Sequence, residues 1–174
     1  MDKHELTELL CRVADGSVSP DEAALKLKMQ PFEEIGEYAK VDMHRGIRQG
    51  VPEVIYGAGK TKEHILGIAR TMLQNGQETV LITRLCREAA DFVAAELPLE
   101  YHEIAKIGII GGMPEKSGRG RIVVATGGTS DMPVAEEAAL TAEALGNEVL
   151  RLYDVGVSGI HRLLSHMDAI MGAR

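Results

Sequence analysis

A chain of 174 residues, 45% of them hydrophobic, is long enough to bury one substantial core or two small packed modules, and it should be globular. Its formal net charge of -7 argues against a general nucleic-acid binder, which needs a basic surface, but leaves room for a local nest of backbone N–H groups that holds an anion. The two cysteines, Cys11 and Cys86, form no disulfide framework or CxxC metal site, and no apolar run approaches the roughly 20 residues that span a bilayer, so the expectation is a soluble cytoplasmic protein with two reduced thiols.

The chain opens with helices. Leu6, Leu9, Leu10 and Val13 recur at helical spacing up to Gly16, and Ser19-Pro20-Asp21-Glu22 reads as a capping box for a second helix running through Leu25 to Lys28 before Pro31. From Ala39 to Gly57 the pattern turns to strand or irregular structure. "TKEHILGIARTMLQNG" is then a helix with Ile65, Ile68, Ala69 and Met72 on one face, "TVLITR" a buried strand, and "CREAADFVAAEL" a helix closed by Pro98. An undefined stretch with one strand at "AKIGII" leads into the glycine- and charge-rich "GGMPEKSGRGR", read as a linker with a boundary near Gly118. Beyond it come strand "RIVVAT", loop "GGTSD", helix "MPVAEEAALTAEALG", strand "NEVLRLYD", loop "VGVSG" and helix "IHRLLSHMDAIMG". This alternation implies parallel strands with ligands at their carboxyl ends. The eight methionines read as core filler.

Three stretches bear on chemistry. Gly59-Lys60-Thr61 imitates the tail of a P-loop, but the first glycine of that motif would fall at position 54, which is Val54; the turn is read instead as an ordinary one with Thr61 capping the next helix. In "VVATGGTSDMPVAEEAA", Gly127 and Gly128 let the backbone approach a ligand, and Thr129, Ser130 and Asp131 stand at a helix entrance suited to an anion. Asp131 fits equally as N-cap, with Pro133 in the first turn and Glu136 and Glu137 near the positive helix end. In "YDVGVSGIHR", His161 follows Gly159 at a helix start, where the dipole favours the neutral imidazole suited to proton shuttling. His44, Arg45 and Arg48 beside Asp42 form a small basic cluster read as a solvated turn, and Cys86 reads as an inert, partly buried thiol.

The stretches "PFEEIGEYAKVDMHRGIRQGVPEVIYGAGKT" and "ATGGTSDMPVAEEAALTAEALGNEVLRLYDVGVSGIHRLL" resemble the LarB family of nickel-pincer cofactor biosynthesis, the pyridinium-3,5-biscarboxylic acid mononucleotide synthases, over nearly the whole chain. The family carries a Gly-x-Gly-Lys-Thr turn without Walker chemistry. Its second domain is similar to aminoimidazole ribonucleotide carboxylase and mutase (PurE), whose G-S-x-S-D loop is matched, one residue shorter, by Gly128-Thr129-Ser130-Asp131 and whose Ala-His-Arg is matched by Ile160-His161-Arg162.

The resemblance implies an α/β protein: an N-terminal helical and α/β module over residues 1–118, then the first half of a PurE-like doubly wound parallel-sheet domain over 119–174. It implies carboxylation of the pyridinium ring of nicotinic acid adenine dinucleotide by carbon dioxide or bicarbonate, with hydrolysis of the phosphoanhydride to release AMP. Ser130, Asp131 and His161 would be catalytic, and Gly127, Gly128, Thr129, Asp154, Gly159 and Arg162 would bind substrate. Mg2+ is allowed, no protein-bound metal site or redox cofactor is expected, and neither nucleic acid nor membrane is a partner; a homo-oligomer is expected. The family's nucleophilic cysteine and supporting glutamate lie in C-terminal segments beyond this sequence, and the broad apolar face of the last helix, Ile160 to Met171, asks for more sheet than two parallel strands provide. The domain therefore reads as cut at its middle, with the remaining strands absent or supplied by the N-terminal region or another chain. Two rivals remain: a purine-pathway carboxylase or mutase using the same loops, and a non-catalytic nucleotide-binding fragment.

Overall fold

The computed structural model describes residues 3–29, 32–36, 38–42, 45 and 50–173. Two helices, α1 (Lys3–Ala14) and α2 (Pro20–Met29), form an antechamber with a small core of Leu9, Val18 and Ala23. The capping box forms in both directions, the Ser19 amide donating to Glu22 at 2.9 Å and the Glu22 amide to Ser19 Oγ at 3.2 Å. Leu10 and Leu25, both 55% exposed, fall outside that core, because two short helices bury only one narrow stripe each.

Strands β1 (Phe32–Ile35) and β2 (Ala39–Asp42) form an antiparallel hairpin, and β3 (Ile55–Tyr56), β4 (Val80–Thr83), β5 (Leu99–His102) and β6 (Ile107–Ile110) form a mixed sheet in the order β3-β4-β6-β5. β3 runs parallel to β4, whereas β6 is antiparallel to both of its neighbours. Helix α3 (Lys62–Gln74) and helix α4 (Arg87–Ala94) cover one face, where Ile65, Met72, Val80, Ile82, Leu85 and Val93 are fully buried. Each such aliphatic side chain contributes about 1.5–3 kcal/mol. β5 lies in the stretch left undefined by the sequence, because its apolar-polar alternation, Leu99-Glu100-Tyr101-His102, lasts only four residues.

The second unit is β7 (Arg121–Ala125), α5 (Met132–Ala144) and β8 (Glu148–Leu152), with the two strands parallel and paired from Arg121↔Glu148 to Ala125↔Leu152. The expected parallel βαβ is present, and the whole is an α/β fold. The polypeptide around Gly118 is anchored, because Ser117 and Gly118 both donate to the Gly146 carbonyl. Helix α5 contacts β7 and β8 on one side and β4 and β6 on the other. Leu140 and Ala144 enter a cluster with Leu81, Ala105, Ile107 and Ile109 of the four-stranded sheet.

Three expectations need correction here. The last helix is two five-residue helices, α6 (Ile160–Leu164) and α7 (Met167–Met171), broken at Ser165 and His166, where the Ser165 hydroxyl donates to the Arg162 carbonyl and the His166 amide reaches back only to Leu163. Among the described methionines, Met72 is fully buried while Met113, Met167 and Met171 are exposed, so methionine is not generally core filler. Cys86 is exposed rather than partly buried, because it is the N-cap position of α4 at a sheet end.

β8 is locked to α5 by charge. The Arg151 guanidinium makes a two-pronged contact with Glu143 at 2.6 and 2.7 Å and reaches Glu136 at 3.3 Å, and the Tyr153 hydroxyl donates to Glu136. The hydrogen bonds from Arg151 hold the Glu143 carboxyl below its ordinary value. A depressed carboxylate stabilises the fold above its unfolded-state value and loses that contribution as pH falls through the folded one. Stability of the wild type should therefore decline below about pH 4.3, the ordinary glutamate value, and Glu143→Gln should flatten that decline; equal acid slopes in urea melts of the two proteins would contradict the assignment.

Candidate functional site

The site expected at the carboxyl ends of β7 and β8 is built around Thr126. Its side chain and backbone are buried at 4% exposure, and it ties the two strand ends together three times. Its amide donates to the Leu152 carbonyl at 2.9 Å, its carbonyl accepts from Val155 at 2.9 Å, and its hydroxyl accepts from the Asp154 amide at 3.0 Å. Sequence reasoning missed Thr126; the signal was a hydroxyl residue at the end of an apolar strand immediately before two glycines.

With the strand ends tied, the loops touch. A Cβ on Gly156 would stand 2.3 Å from the Gly127 carbonyl oxygen, so only glycine permits this approach. The first loop then makes a 3-10 turn over Thr129–Asp131 into α5. Asp131 occupies the N-cap position of α5, but its carboxylate does not cap that helix; it turns back and accepts from the Gly128 amide at 3.0 Å, shaping the loop. Of the two roles the sequence allowed Asp131, side-chain capping of α5 is not made. Pro133 sits in the first turn, whereas Glu136 and Glu137 lie beyond it and serve ion pairs: Glu136 with Arg151, and Glu137 with Arg84 at 2.7 Å.

In the second loop Asp154 is a non-glycine residue at φ 57, in the left-handed region, with its carboxylate bound to the Arg162 guanidinium. Arg162 lies across Gly159, and His161 stands exposed in the first turn of α6. Because α6 has five residues, it offers much less dipole than the single long helix expected from the sequence. Thr129, Ser130, Asp131, Asp154, His161 and Arg162 are all exposed, so the two loops form an open face that a ligand can reach.

The P-loop imitation is an ordinary turn, as expected. The Thr61 hydroxyl accepts from the His64 amide at 3.2 Å as N-cap of α3, and the Glu63 carboxylate turns back on its own amide, so these helix-start amides are satisfied within the chain. Of the basic cluster, Arg45 lies 3.8 Å from Glu53, while His44 and Arg48 fall outside the described residues. Among the described residues no three acidic, histidine or cysteine side chains converge on a metal position, and no helix is long and apolar enough to cross a membrane.

The contact between Gly127 and Gly156 generates a test. Gly156→Ala should push the two loops apart and lower stability by about 1–3 kcal/mol, as overpacking does. Heat-denaturation midpoints equal to wild type would show that the loops do not depend on this approach.

Residues 32–112 match the family model described as the LarB/PurE-like N-terminal domain. The uncharacterized protein MJ0165 of Methanocaldococcus jannaschii is 37% identical over 164 residues, a match covering 91% of this chain and 64% of that protein. The chain thus spans less than two thirds of this relative's length, and the similarity extends past the domain match into the segment that carries both loops. Residues 32–112 are thus similar to the LarB/PurE-like N-terminal domain.

Proposed function

We propose that the face formed by residues 126–131 and 153–162 binds a nucleotide, and that the protein serves the LarB-type reaction, carboxylation of the pyridinium ring of nicotinic acid adenine dinucleotide with release of AMP. The observation that carries the reading is the close seating of Gly127 against Gly156, which sets two loops side by side at the carboxyl ends of parallel strands. In this reading the Gly127, Thr129 and Ser130 amides and the Thr129 and Ser130 hydroxyls hold a phosphate or ribose, and Gly128 lets the ligand approach the backbone. Asp131 fixes the loop by occupying the Gly128 amide, and its second oxygen meets a ribose hydroxyl. Arg162, oriented by Asp154 over Gly159, faces an anionic group, and His161 transfers a proton or polarises a carboxyl group.

The ring chemistry divides the labour. A pyridinium is electron-poor and couples to carbon dioxide or bicarbonate only after a nucleophile adds to it and leaves an enamine-like carbon. Neither Cys11 nor Cys86 lies on the two loops. The reading therefore assigns binding and proton handling to residues 126–162 and leaves the nucleophile outside them. Mg2+, which prefers one or two carboxylates plus substrate phosphates, would be carried on the phosphoanhydride, with Asp131 the carboxylate offered by the loop. The exposed Val157, Ile160, Leu164 and Met171 beside the site support a homo-oligomer in which this apolar surface is covered.

Asp131→Asn separates loop shape from ligand contact, because asparagine retains an acceptor for the Gly128 amide. Its melting temperature should match wild type, while affinity for nicotinic acid adenine dinucleotide in calorimetric titration should fall about tenfold, the loss of one charge-assisted hydrogen bond of roughly 1.4 kcal/mol. Unchanged affinity would remove Asp131 from the site, and stronger binding of aminoimidazole ribonucleotide than of the dinucleotide would move the reading to the purine-type carboxylase or mutase.

A further inference from the structure

A separate groove lies on the N-terminal module, far in sequence from the two loops. A groove of about 380 Å³ runs between β2, β3 and α3, and its lining includes Tyr38, Lys40, Glu53, Tyr56, Lys60 and Ile68. Three buried apolar side chains underlie it: Val41, Ile55 and Ile68 are 4%, 2% and 8% exposed. The rim is aromatic and solvent-facing, with Tyr38 44% and Tyr56 60% exposed. Tyr56 projects outward because β3 is only two residues long and its partner residue Ile55 takes the inward position.

The rim is built rather than incidental. Tyr38 stacks on His64 with ring centroids 4.2 Å apart and planes 13° from parallel. It also lies against the middle of α3, where a Cβ on Gly67 would stand 2.3 Å from the Tyr38 hydroxyl. A glycine inside a helix costs about 1 kcal/mol relative to alanine, and the seat it makes for Tyr38 is the structural return visible at this position.

Charge in the groove is unequal. Glu53 is committed to the scaffold, its Oε2 accepting from the Asp42 amide at 2.7 Å and its Oε1 lying 3.8 Å from Arg45. Lys60, at the end of the β3 to α3 turn, makes no ion pair among the described residues and is exposed. Exposed tyrosines on the rim and an ammonium without an ion pair among the described residues together suit a ligand with an aromatic ring at one end and an anion at the other. The volume lies in the range of small-molecule sites.

We propose that this groove binds a mononucleotide-sized aromatic anion, a heterocyclic base stacked at Tyr56 with its phosphate at Lys60. The site is independent of the loops at 126–131 and 153–162, and it uses Lys60 as a point charge at a groove mouth, without the backbone cradle of a P-loop.

The test is calorimetric titration of the full chain with AMP, adenosine and inorganic phosphate. AMP should bind more tightly than either fragment. Tyr56→Ala should weaken AMP about tenfold, the loss of one stacking partner, and Lys60→Ala should weaken AMP while leaving adenosine unchanged. Both side chains are exposed, so both variants should melt with wild type. Gly67→Ala, which removes no groove atom, should displace Tyr38 and weaken AMP while preserving helix content. Asp131→Asn should leave this AMP binding untouched. The proposal is overturned if AMP binds no better than phosphate, or if Tyr56→Ala and Lys60→Ala bind AMP like wild type while Asp131→Asn does not, which would place the nucleotide on the loops.

Discussion

Helix α5 carries small apolar residues toward two layers, and the rest of the structure depends on how that surface is covered. Ala135, Ala139, Leu140 and Ala144 are buried, and a helix of this kind needs a partner on more than one side. The pair of strands β7 and β8 supplies one wall. The other comes from the back of the N-terminal sheet, where Leu81, Ala105, Ile107 and Ile109 meet Leu140 and Ala144. The small side chains of α5 permit this, since alanines let a helix lie close to both layers. The Arg84 to Glu137 ion pair adds a link from the carboxyl end of β4 to the second turn of α5, although as a largely exposed contact it contributes at most about 1 kcal/mol.

This arrangement positions the candidate site. The amino end of α5 is presented at the same edge as the ends of β7 and β8, and Thr126 closes the gap between the strand ends with three hydrogen bonds. The loops are thus open to solvent but held from below by a buried residue, which suits a surface that must both exchange ligand and keep its shape. Asp131 contributes by filling the Gly128 amide, and Asp154 by orienting Arg162.

The βαβ order was legible because its strands are β-branched runs bounded by glycine, and the Val54 mismatch was enough to reject the P-loop that Thr61 and Glu63 occupy in the fold. β5 was not legible: its Leu99-Glu100-Tyr101-His102 sequence becomes a strand through pairing with β6, a tertiary effect. The apolar spacing from Ile160 to Met171 suggested one helix, whereas local backbone bonding at Ser165 and His166 divides it. Thr126 was passed over because the sequence cannot say that its hydroxyl meets an amide 28 positions away. The groove beneath Tyr56 was likewise invisible, since it joins a hairpin, a two-residue strand and a mid-helix glycine that are separate in the chain.

The account rests most heavily on α5 serving both sheets, which native-state hydrogen exchange on Leu140→Ala tests directly. Truncating a buried leucine should cost about 2–5 kcal/mol. If α5 joins the two layers into one cooperative unit, protection of the slowest amides in residues 80–110 and in residues 121–152 should fall by the same amount. A loss confined to residues 121–152, with the four-stranded sheet as protected as in wild type, would contradict it.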